Sequence, residues 1–200
     1  MPAAVLEKCE AKTFPAIEGG LDGMSKEQLE VHFKLYQGYV NNFNIISEKV
    51  AKLIEAKDFG PEYAELKRRF GFELDGIVLH EYYFDNMKPS GGALDVNSKL
   101  YKKLVEQFGS YENWEADFKK TGAMRGIGWA VMYQCPKSGR LLNFWISDHE
   151  YGHPAGFQPV LVMDVWEHAY TVDWKATERP NYIDAFFKNI NWQVVESRLK

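Results

Sequence analysis

The segment DVWEHAY, Asp164 to Tyr170, places a carboxylate and an imidazole four residues apart, directly after a short apolar run. That run, Pro159 to Met163, contains two valines and is bounded by polar residues, a pattern that predicts a buried strand. Asp164 would lie at the end of this strand, with His168 just beyond it. An aspartate and a histidine at this spacing favour either a metal site or a simple hydrogen bond between them, and the pair alone leaves both open.

The residues around this pair are more informative than the pair itself. DVWEHAY together with RPNYIDAFFKNINW, Arg179 to Trp192, resembles the C-terminal signature of the iron/manganese superoxide dismutases. In that family the aspartate and histidine of the motif are two of four protein ligands of a single metal ion. The other two ligands are histidines from an N-terminal helical hairpin. The resemblance therefore implies that Asp164 and His168 are ligands, and it requires two histidines from earlier in the chain.

The N-terminal part of the chain has the pattern of a helical hairpin. The sequence Ser25 to Gln28 has the form of a capping box, and the apolar periodicity behind it predicts a helix to about Ala56. Gly60 and Pro61 interrupt this pattern, and a second helical segment continues to about Met87. Two long helices joined by a short turn form a hairpin. Residues 1–24 lack a clear period, which predicts an extended arm that wraps the body.

On the first predicted helix, His32, Tyr36 and Tyr39 follow the spacing i, i+4 and i+7 and so share one face. A single histidine among apolar residues is more often a hydrogen-bonded core residue than a ligand. However, HFKLYQGYVNNFN resembles the first-ligand motif of the family. The resemblance implies that His32 is a ligand and that Tyr39 lies beside the open coordination position.

On the second predicted helix, GIVLHEYYFDNMKPSGG resembles the second-ligand segment of the family. The resemblance implies that His80 is the remaining ligand, with Tyr83 and Phe84 as ring neighbours. The family donor to metal-bound solvent is a Gln or His, either four residues before this ligand or in the sheet. Gly76 has no side chain to donate, so we expect His149 to take this role.

The sequence departs from the family pattern near the substrate mouth. Six residues separate His32 from Tyr39 where the family has seven, and one residue corresponds to about 100° of helix rotation. Either the helix winds differently here, or Tyr36 takes part of the role of Tyr39. Leu35 stands where the family has a histidine, and Thr171 stands where it usually has a second tyrosine.

The C-terminal half changes from helical to strand patterns. Residues 94–122 are predicted to be helical with a break at Gly109, and residues 129–136 and 141–150 read as two strands joined by a hairpin turn. The third strand is Pro159 to Val165, and a C-terminal helix is expected from about Asn181. We therefore predict an α+β fold, in which a long N-terminal helical hairpin precedes an α/β domain with a three-stranded antiparallel sheet. The glycine-rich linker at 88–92 predicts two domains, 1–88 and 93–200.

The resemblance also implies the surroundings of the centre. It predicts that these residues lie around the ligands or at a subunit interface: Tyr36, Tyr83, Trp129, Trp166 and Glu167. Glu167 would reach across a two-fold axis to His168 of the other subunit, which implies a homodimer or a dimer of dimers. Lys34 and Arg179 are candidate cations that would steer the superoxide anion to the metal.

Three imidazoles and one carboxylate make a donor set suited to iron or manganese, and it lacks the thiolates that favour zinc or a cluster. We expect one ion per subunit, with iron favoured over manganese and use of either metal left open. The resemblance implies superoxide dismutation to O₂ and H₂O₂. A metal-free structural or assembly relative is the alternative, and a mononuclear iron dioxygenase would need more open coordination positions than this set leaves.

The bulk composition limits the remaining possibilities. The chain has 200 residues, 46% of them hydrophobic, which suits one compact globular protein. Its net charge of −4 argues against nucleic-acid binding. No segment approaches the roughly 20 apolar residues that span a bilayer, and the first residues do not resemble a secretory signal, so we expect no membrane partner and a cytoplasmic location. Cys9 and Cys135 have neither metal-site nor disulfide spacing.

Overall fold

The computed structural model describes residues 8–200, and the first seven residues of the predicted arm lie outside this range. The described part of the arm contains a short 3₁₀ helix, Pro15–Glu18, and lies against the first long helix. The backbone N–H of Cys9 donates to the Asn44 side-chain oxygen at 2.9 Å, and that of Lys12 donates to the Tyr36 hydroxyl at 2.9 Å. These bonds attach the arm to the helical hairpin.

The predicted hairpin consists of α1, Lys26–Ala56, and α2, Pro61–Asp85, which pack along each other. Ser25 is the N-cap of α1, since its hydroxyl oxygen accepts the Gln28 N–H at 3.0 Å. The second half of the predicted capping box is wrong, because the Gln28 side chain points away from the cap to a distant segment. The N–H of Ser25 donates instead to Asp173 Oδ2 at 2.7 Å.

Two shorter helices follow the linker, α3 at Lys99–Phe108 and α4 at Tyr111–Gly122. The break between them lies at Gly109, as the sequence predicted, where a φ of +83° favours glycine. Ser110 is the N-cap of α4, and its hydroxyl oxygen accepts the Asn113 N–H at 3.1 Å. The helical pattern begins five residues later than predicted, because Ser98 caps α3.

The sheet has the predicted three antiparallel strands, β1 at Gly128–Gln134, β2 at Leu141–Ser147 and β3 at Gln158–Asp164. The strand order is β2-β1-β3, so β1 is central, and all its residues are buried. Trp129 of β1 pairs with Asp164 of β3. Because directly paired residues project to the same side of a sheet, this register brings the Trp129 indole and the Asp164 carboxylate together.

The C-terminal segment forms two helices, α5 at Arg179–Lys188 and α6 at Trp192–Ser197, where one was predicted. Between them, Ile190 forms an isolated bridge with Met87, just after the end of α2. The hydrophobic core continues across the linker, since the Tyr83 ring of α2 stacks on Phe186 of α5 at 5.9 Å. The division into domains 1–88 and 93–200 stays a prediction. Within residues 8–200, no helix is both long and apolar enough to cross a bilayer.

Candidate metal centre

Four side chains converge in the core between the helical hairpin and the sheet: His32, His80, Asp164 and His168. Each offers one ligand atom, and all four atoms lie within 4.8 Å of one another. The three Nε2 atoms face the same oxygen, Asp164 Oδ2, at 3.0 Å from His32, 3.6 Å from His80 and 3.2 Å from His168. This is the set of residues that the sequence predicted as ligands.

Different elements deliver these four side chains. His32 lies in the second turn of α1, and His80 lies near the C-terminal end of α2. Asp164 is the last residue of β3, and His168 follows in a three-residue 3₁₀ turn, Glu167–Ala169. Three of the four side chains are almost completely buried, while 19% of the His168 side chain is exposed. The least protected member is therefore the one outside the long helices and strands.

The donor chemistry of this cluster fits one cation. His80 Nδ1 donates to the Gly76 carbonyl at 2.6 Å, which leaves the lone pair on Nε2. That Nε2 atom is buried and has no hydrogen-bond partner among the described residues. A buried lone pair without a partner is costly, and a metal ion among the four donors would satisfy it.

The protonation states agree with this interpretation. Burial lowers the pKa of the His32 and His80 imidazoles, so both are neutral at neutral pH. Burial alone would raise the pKa of Asp164, but the neighbouring His168 and His32 outweigh it and hold that pKa well below its ordinary value. The carboxylate is therefore ionised and ready to bind a cation.

Hydrogen bonds hold both the side chain and the backbone of Asp164 in place. Its Oδ1 atom accepts the backbone N–H of Trp166 at 2.8 Å, and its carbonyl oxygen accepts the Tyr182 hydroxyl at 2.7 Å. The Tyr182 hydroxyl lies 3.1 Å from the Tyr83 hydroxyl, and because its own proton goes to the Asp164 carbonyl, Tyr83 donates in this second bond. These bonds leave Oδ2 as the oxygen that faces the three histidines.

Aromatic rings enclose the four side chains. Tyr83 and Phe84 lie 4.9 and 5.0 Å from the His32 ring, measured between ring centroids. The Trp129 ring meets the His80 ring at 5.0 Å, and the Trp166 ring stacks on His168 at 5.6 Å. An enclosure of this kind excludes water and lowers the local dielectric constant around the donors.

A hydrogen-bonded chain of Trp129, His149 and Tyr39 lies next to His80. The Trp129 indole N–H donates to His149 Nδ1 at 3.0 Å, so the His149 proton is on Nε2, which donates to the Tyr39 hydroxyl at 2.8 Å. His149 is fully buried, and burial lowers its pKa to about 4. Burial also raises the pKa of Tyr39. Both groups are therefore neutral at neutral pH.

The shorter spacing between His32 and Tyr39 is accommodated within a continuous helix, because α1 is α-helical throughout. Tyr39 thus lies two turns after His32 on the same face, and its hydroxyl reaches His149. The Tyr36 hydroxyl points elsewhere and donates to Glu81 Oε1 at 3.1 Å. The structure thus shows neither a change of winding in α1 nor a contact of the Tyr36 hydroxyl with His149, and Tyr39 is the tyrosine that makes this contact.

Gly76 lies where α1 and α2 approach closely. A Cβ atom built on this residue would lie 2.8 Å from Cδ1 of the Tyr39 ring. The space next to residue 76 is therefore filled by Tyr39, and a larger side chain on α2 would displace the ring.

Three other predicted site residues are not among the four clustered side chains. Lys34 is exposed on α1 and forms no ion pair within residues 8–200. Arg179 donates to the carbonyl oxygens of Met124 and Gly126 at 2.7 and 2.8 Å, so its guanidinium fixes the loop before β1. Glu167 is exposed beside His168.

Sequence reasoning missed a polar pair on α2. The Arg69 guanidinium lies 3.8 Å from the centroid of the Phe72 ring, and its Nε atom donates to Glu73 Oε1 at 2.6 Å. The Phe72 ring in turn packs on His149 at 4.6 Å between centroids. Arg69 and Glu73 are four residues apart, which is a common helical ion-pair spacing and gave no sign of this location.

Sequence reasoning also misplaced Gln28, whose side chain belongs to the surroundings of the cluster. It is 1% exposed and is hydrogen-bonded to the segment that carries His168. The available signal was its position one helical turn before His32, on the same face of α1.

Comparison with known proteins gives consistent matches. Residues 96–198 match the family described as iron/manganese superoxide dismutases, C-terminal domain. An iron superoxide dismutase of Aquifex pyrophilus is 41% identical over 186 residues, which cover 90% of this chain and 86% of the relative. An iron superoxide dismutase of Methanothermobacter thermautotrophicus is 33% identical over 182 residues, covering 88% and 87%. A manganese superoxide dismutase of Haloferax volcanii is 34% identical over 167 residues, covering 84% and 82%.

Proposed function

This chain belongs to the iron/manganese superoxide dismutase family, and from that membership we propose that His32, His80, Asp164 and His168 hold its catalytic metal ion. The protein is a superoxide dismutase, which converts superoxide to O₂ and H₂O₂. The observation that carries the ligand assignment is the convergence of three Nε2 atoms on Asp164 Oδ2, with His80 Nε2 buried and unpartnered among residues 8–200.

A bound iron or manganese ion would supply the redox chemistry, because it can accept one electron from one superoxide and donate it to a second. Burial keeps the His32 and His80 imidazoles neutral, and the surrounding aromatic rings exclude water from the cluster. Three neutral imidazoles and one carboxylate leave an excess of positive charge when the ion is bound, and this attracts an anionic substrate.

We infer that Tyr39 and His149 handle protons at the substrate position. Because the Trp129 indole fixes His149 Nδ1 as an acceptor, His149 donates its Nε2–H to the Tyr39 oxygen. The Tyr39 O–H is then free to donate to an oxygen of the substrate. The dismutation consumes two protons for each H₂O₂ formed, and a neutral tyrosine paired with a neutral histidine can hold and pass them without burying a net charge.

We propose one ion per subunit, with iron as the native metal. The relative at 41% identity is an iron enzyme, while the manganese enzyme named above is 34% identical. The four proposed ligands suit both metals. A test must therefore distinguish activity with iron alone from activity with either metal.

We propose that the enzyme works as a homodimer or a dimer of dimers. Glu167 is exposed next to His168, whose side chain is 19% exposed and whose Nε2 atom faces Asp164. Glu167 of one protomer would accept a hydrogen bond from His168 Nδ1 of the other. Thr171, which is exposed nearby, stands where the family has a tyrosine. Light scattering tests this: a monomeric wild-type protein with full activity contradicts the proposal.

The experiment that tests the function combines metal analysis with a superoxide-consumption assay on the purified protein. The protein is then stripped and reloaded separately with iron and with manganese. We expect about one metal ion per chain and activity that depends on it. A protein that takes up neither metal, or consumes no superoxide when loaded, contradicts the function and favours the metal-free structural alternative.

A further inference from the structure

Gln28 is a buried polar residue with no role in a hydrophobic core. Its side chain lies on α1, one turn before His32, and is 1% exposed. A buried amide costs free energy unless its donor and acceptor atoms find partners. The partners of Gln28 therefore indicate what the residue does.

Both partners of the Gln28 amide belong to the turn that carries His168. The Nε2 atom donates to the His168 carbonyl oxygen at 2.7 Å, and the Oε1 atom accepts the Val172 N–H at 2.9 Å. The amide thus holds residues 168 and 172 against α1 through two hydrogen bonds of ordinary length. It bonds to the backbone of His168, not to its ring.

His168 has the least structural support of the four proposed ligands. It lies in a 3₁₀ turn of three residues, and its side chain is 19% exposed, whereas His32 and His80 lie on long helices. Its ring must nevertheless stay 4.9 Å from the His32 ring, although the two residues come from distant parts of the chain. A short turn needs an external restraint to hold a side chain this accurately.

We propose that Gln28 is a positioning residue that sets the place of His168 relative to His32, and so controls how firmly the metal ion is held. This inference rests on the proposed ligand set. Gln28 and His32 are on the same face of one rigid helix, so a clamp at residue 28 places the His168 backbone in the frame of His32. The amide neither touches substrate nor titrates, so its effect acts through His168.

The test is the rate at which the metal-loaded protein releases its ion to an excess of a strong chelator. In Gln28→Met the side chain keeps its length but loses both hydrogen bonds. We expect release to become roughly tenfold faster, the scale seen when partners of metal ligands are removed. Gln28→Glu keeps the acceptor for Val172 but places a carboxylate against the His168 carbonyl, and we expect faster release from it as well.

Gln134 provides a matched control, since it is 3% exposed and its side chain also bonds to backbone atoms, namely Lys200 N, Lys200 O and Gly139 O. These bonds lie away from the four side chains, so Gln134→Met should lower the melting temperature without changing the release rate by more than about twofold. If Gln28→Met does not fold, the rate of metal release from Gln28→Glu alone tests the proposal.

The outcomes separate this inference from the proposed function. Faster release from the Gln28 variants, with the Gln134 control unchanged, supports the positioning role. Release at the wild-type rate from both Gln28 variants overturns it, as does an equal acceleration in the Gln134 control. If the wild-type protein itself binds no metal, the proposed ligand set is wrong, and the inference about Gln28 is wrong with it.

Discussion

Among single side chains, His80 offers the most direct test of the centre, because its Nδ1 is already bonded and its Nε2 is free to bind a metal. We expect His80→Ala to lose stoichiometric metal while the protein stays folded. The helix gains alanine, which has high helix propensity, although the cavity left by the ring costs stability. Metal content and far-ultraviolet circular dichroism measure the two effects.

His153 serves as the control for this variant. Like His80, it forms a hydrogen bond through Nδ1, which lies 2.6 Å from the Tyr133 hydroxyl. It is not one of the four clustered side chains. His153→Ala should retain the metal. If His80→Ala kept full metal content and activity, the assignment of His80 would be wrong.

The Arg69 cation connects to His149, the partner of Tyr39, through one aromatic ring, since its guanidinium lies over Phe72 and that ring packs on His149. Its side chain is 51% exposed, so a small anion can reach it. We expect Arg69→Gln to lower kcat/KM for superoxide by about twofold to fourfold at low ionic strength.

Arg68→Gln makes the same change in net charge one residue away. Arg68 is 72% exposed and pairs with Glu65, so this variant should behave like the wild type. Equal effects of the two substitutions would mean that overall charge matters and that the location of Arg69 does not. Lys34 and Arg179, the cations predicted from the sequence, can be compared in the same assay.

At the level of elements, the close approach of α1 and α2 at Gly76 determines where Tyr39 lies. We expect Gly76→Ala to push the Tyr39 ring away from His149, since the added Cβ would lie 2.8 Å from that ring. Overpacking of this kind typically costs about 1–3 kcal/mol, more than the helix gains from alanine. Activity and the free energy of unfolding should both fall.

Gly38 is the matched control on α1, because a Cβ atom there would meet no atom within 4 Å. Gly38→Ala should therefore stabilise the protein by roughly 0.5–1 kcal/mol through helix propensity alone. A stabilised and fully active Gly76→Ala variant would show that the helices can separate without cost.

The sequence predicted elements better than it predicted contacts between them. Ser25, Gly60 and Pro61 determine the helical hairpin locally. The alternation of apolar and polar residues, together with the turn residues, determines the three strands, so the sequence predicts both features. The contacts of Gln28 and of Arg69 could not be predicted. The partners of Gln28 are distant in sequence, and the surroundings of Arg69 depend on how the helices pack. The split between α5 and α6 was missed for the same reason, since Ile190 turns away to bridge Met87.

For the molecule as a whole, the buried histidines predict a loss of stability in mild acid. Burial lowers the pKa of His149 to about 4, below its unfolded value of about 6.5. The unfolded chain therefore binds more protons between these values, so this contribution is full above about pH 6.5 and is lost as the pH falls toward 4. His32 and His80, with lowered pKa values, act in the same direction.

We expect the metal-free protein to lose roughly 2 kcal/mol of unfolding free energy between pH 7 and pH 5 from His149 alone. Urea denaturation at the two pH values measures this difference. The His149→Gln variant, which keeps polar atoms at the position but cannot titrate, should show a smaller difference. Equal stability at both pH values in the wild type would contradict the neutral, buried state of these imidazoles.

The ligand positions follow one another along the chain in an order that matters during biosynthesis. His32 and His80 emerge from the ribosome well before Asp164 and His168, so a nascent chain first offers two of the proposed ligands and not the other two. An ion cannot be captured by the complete donor set until translation has passed residue 168 and the two halves have come together. If these four side chains are the ligands, any selection between iron and manganese by the complete set would follow synthesis of the chain.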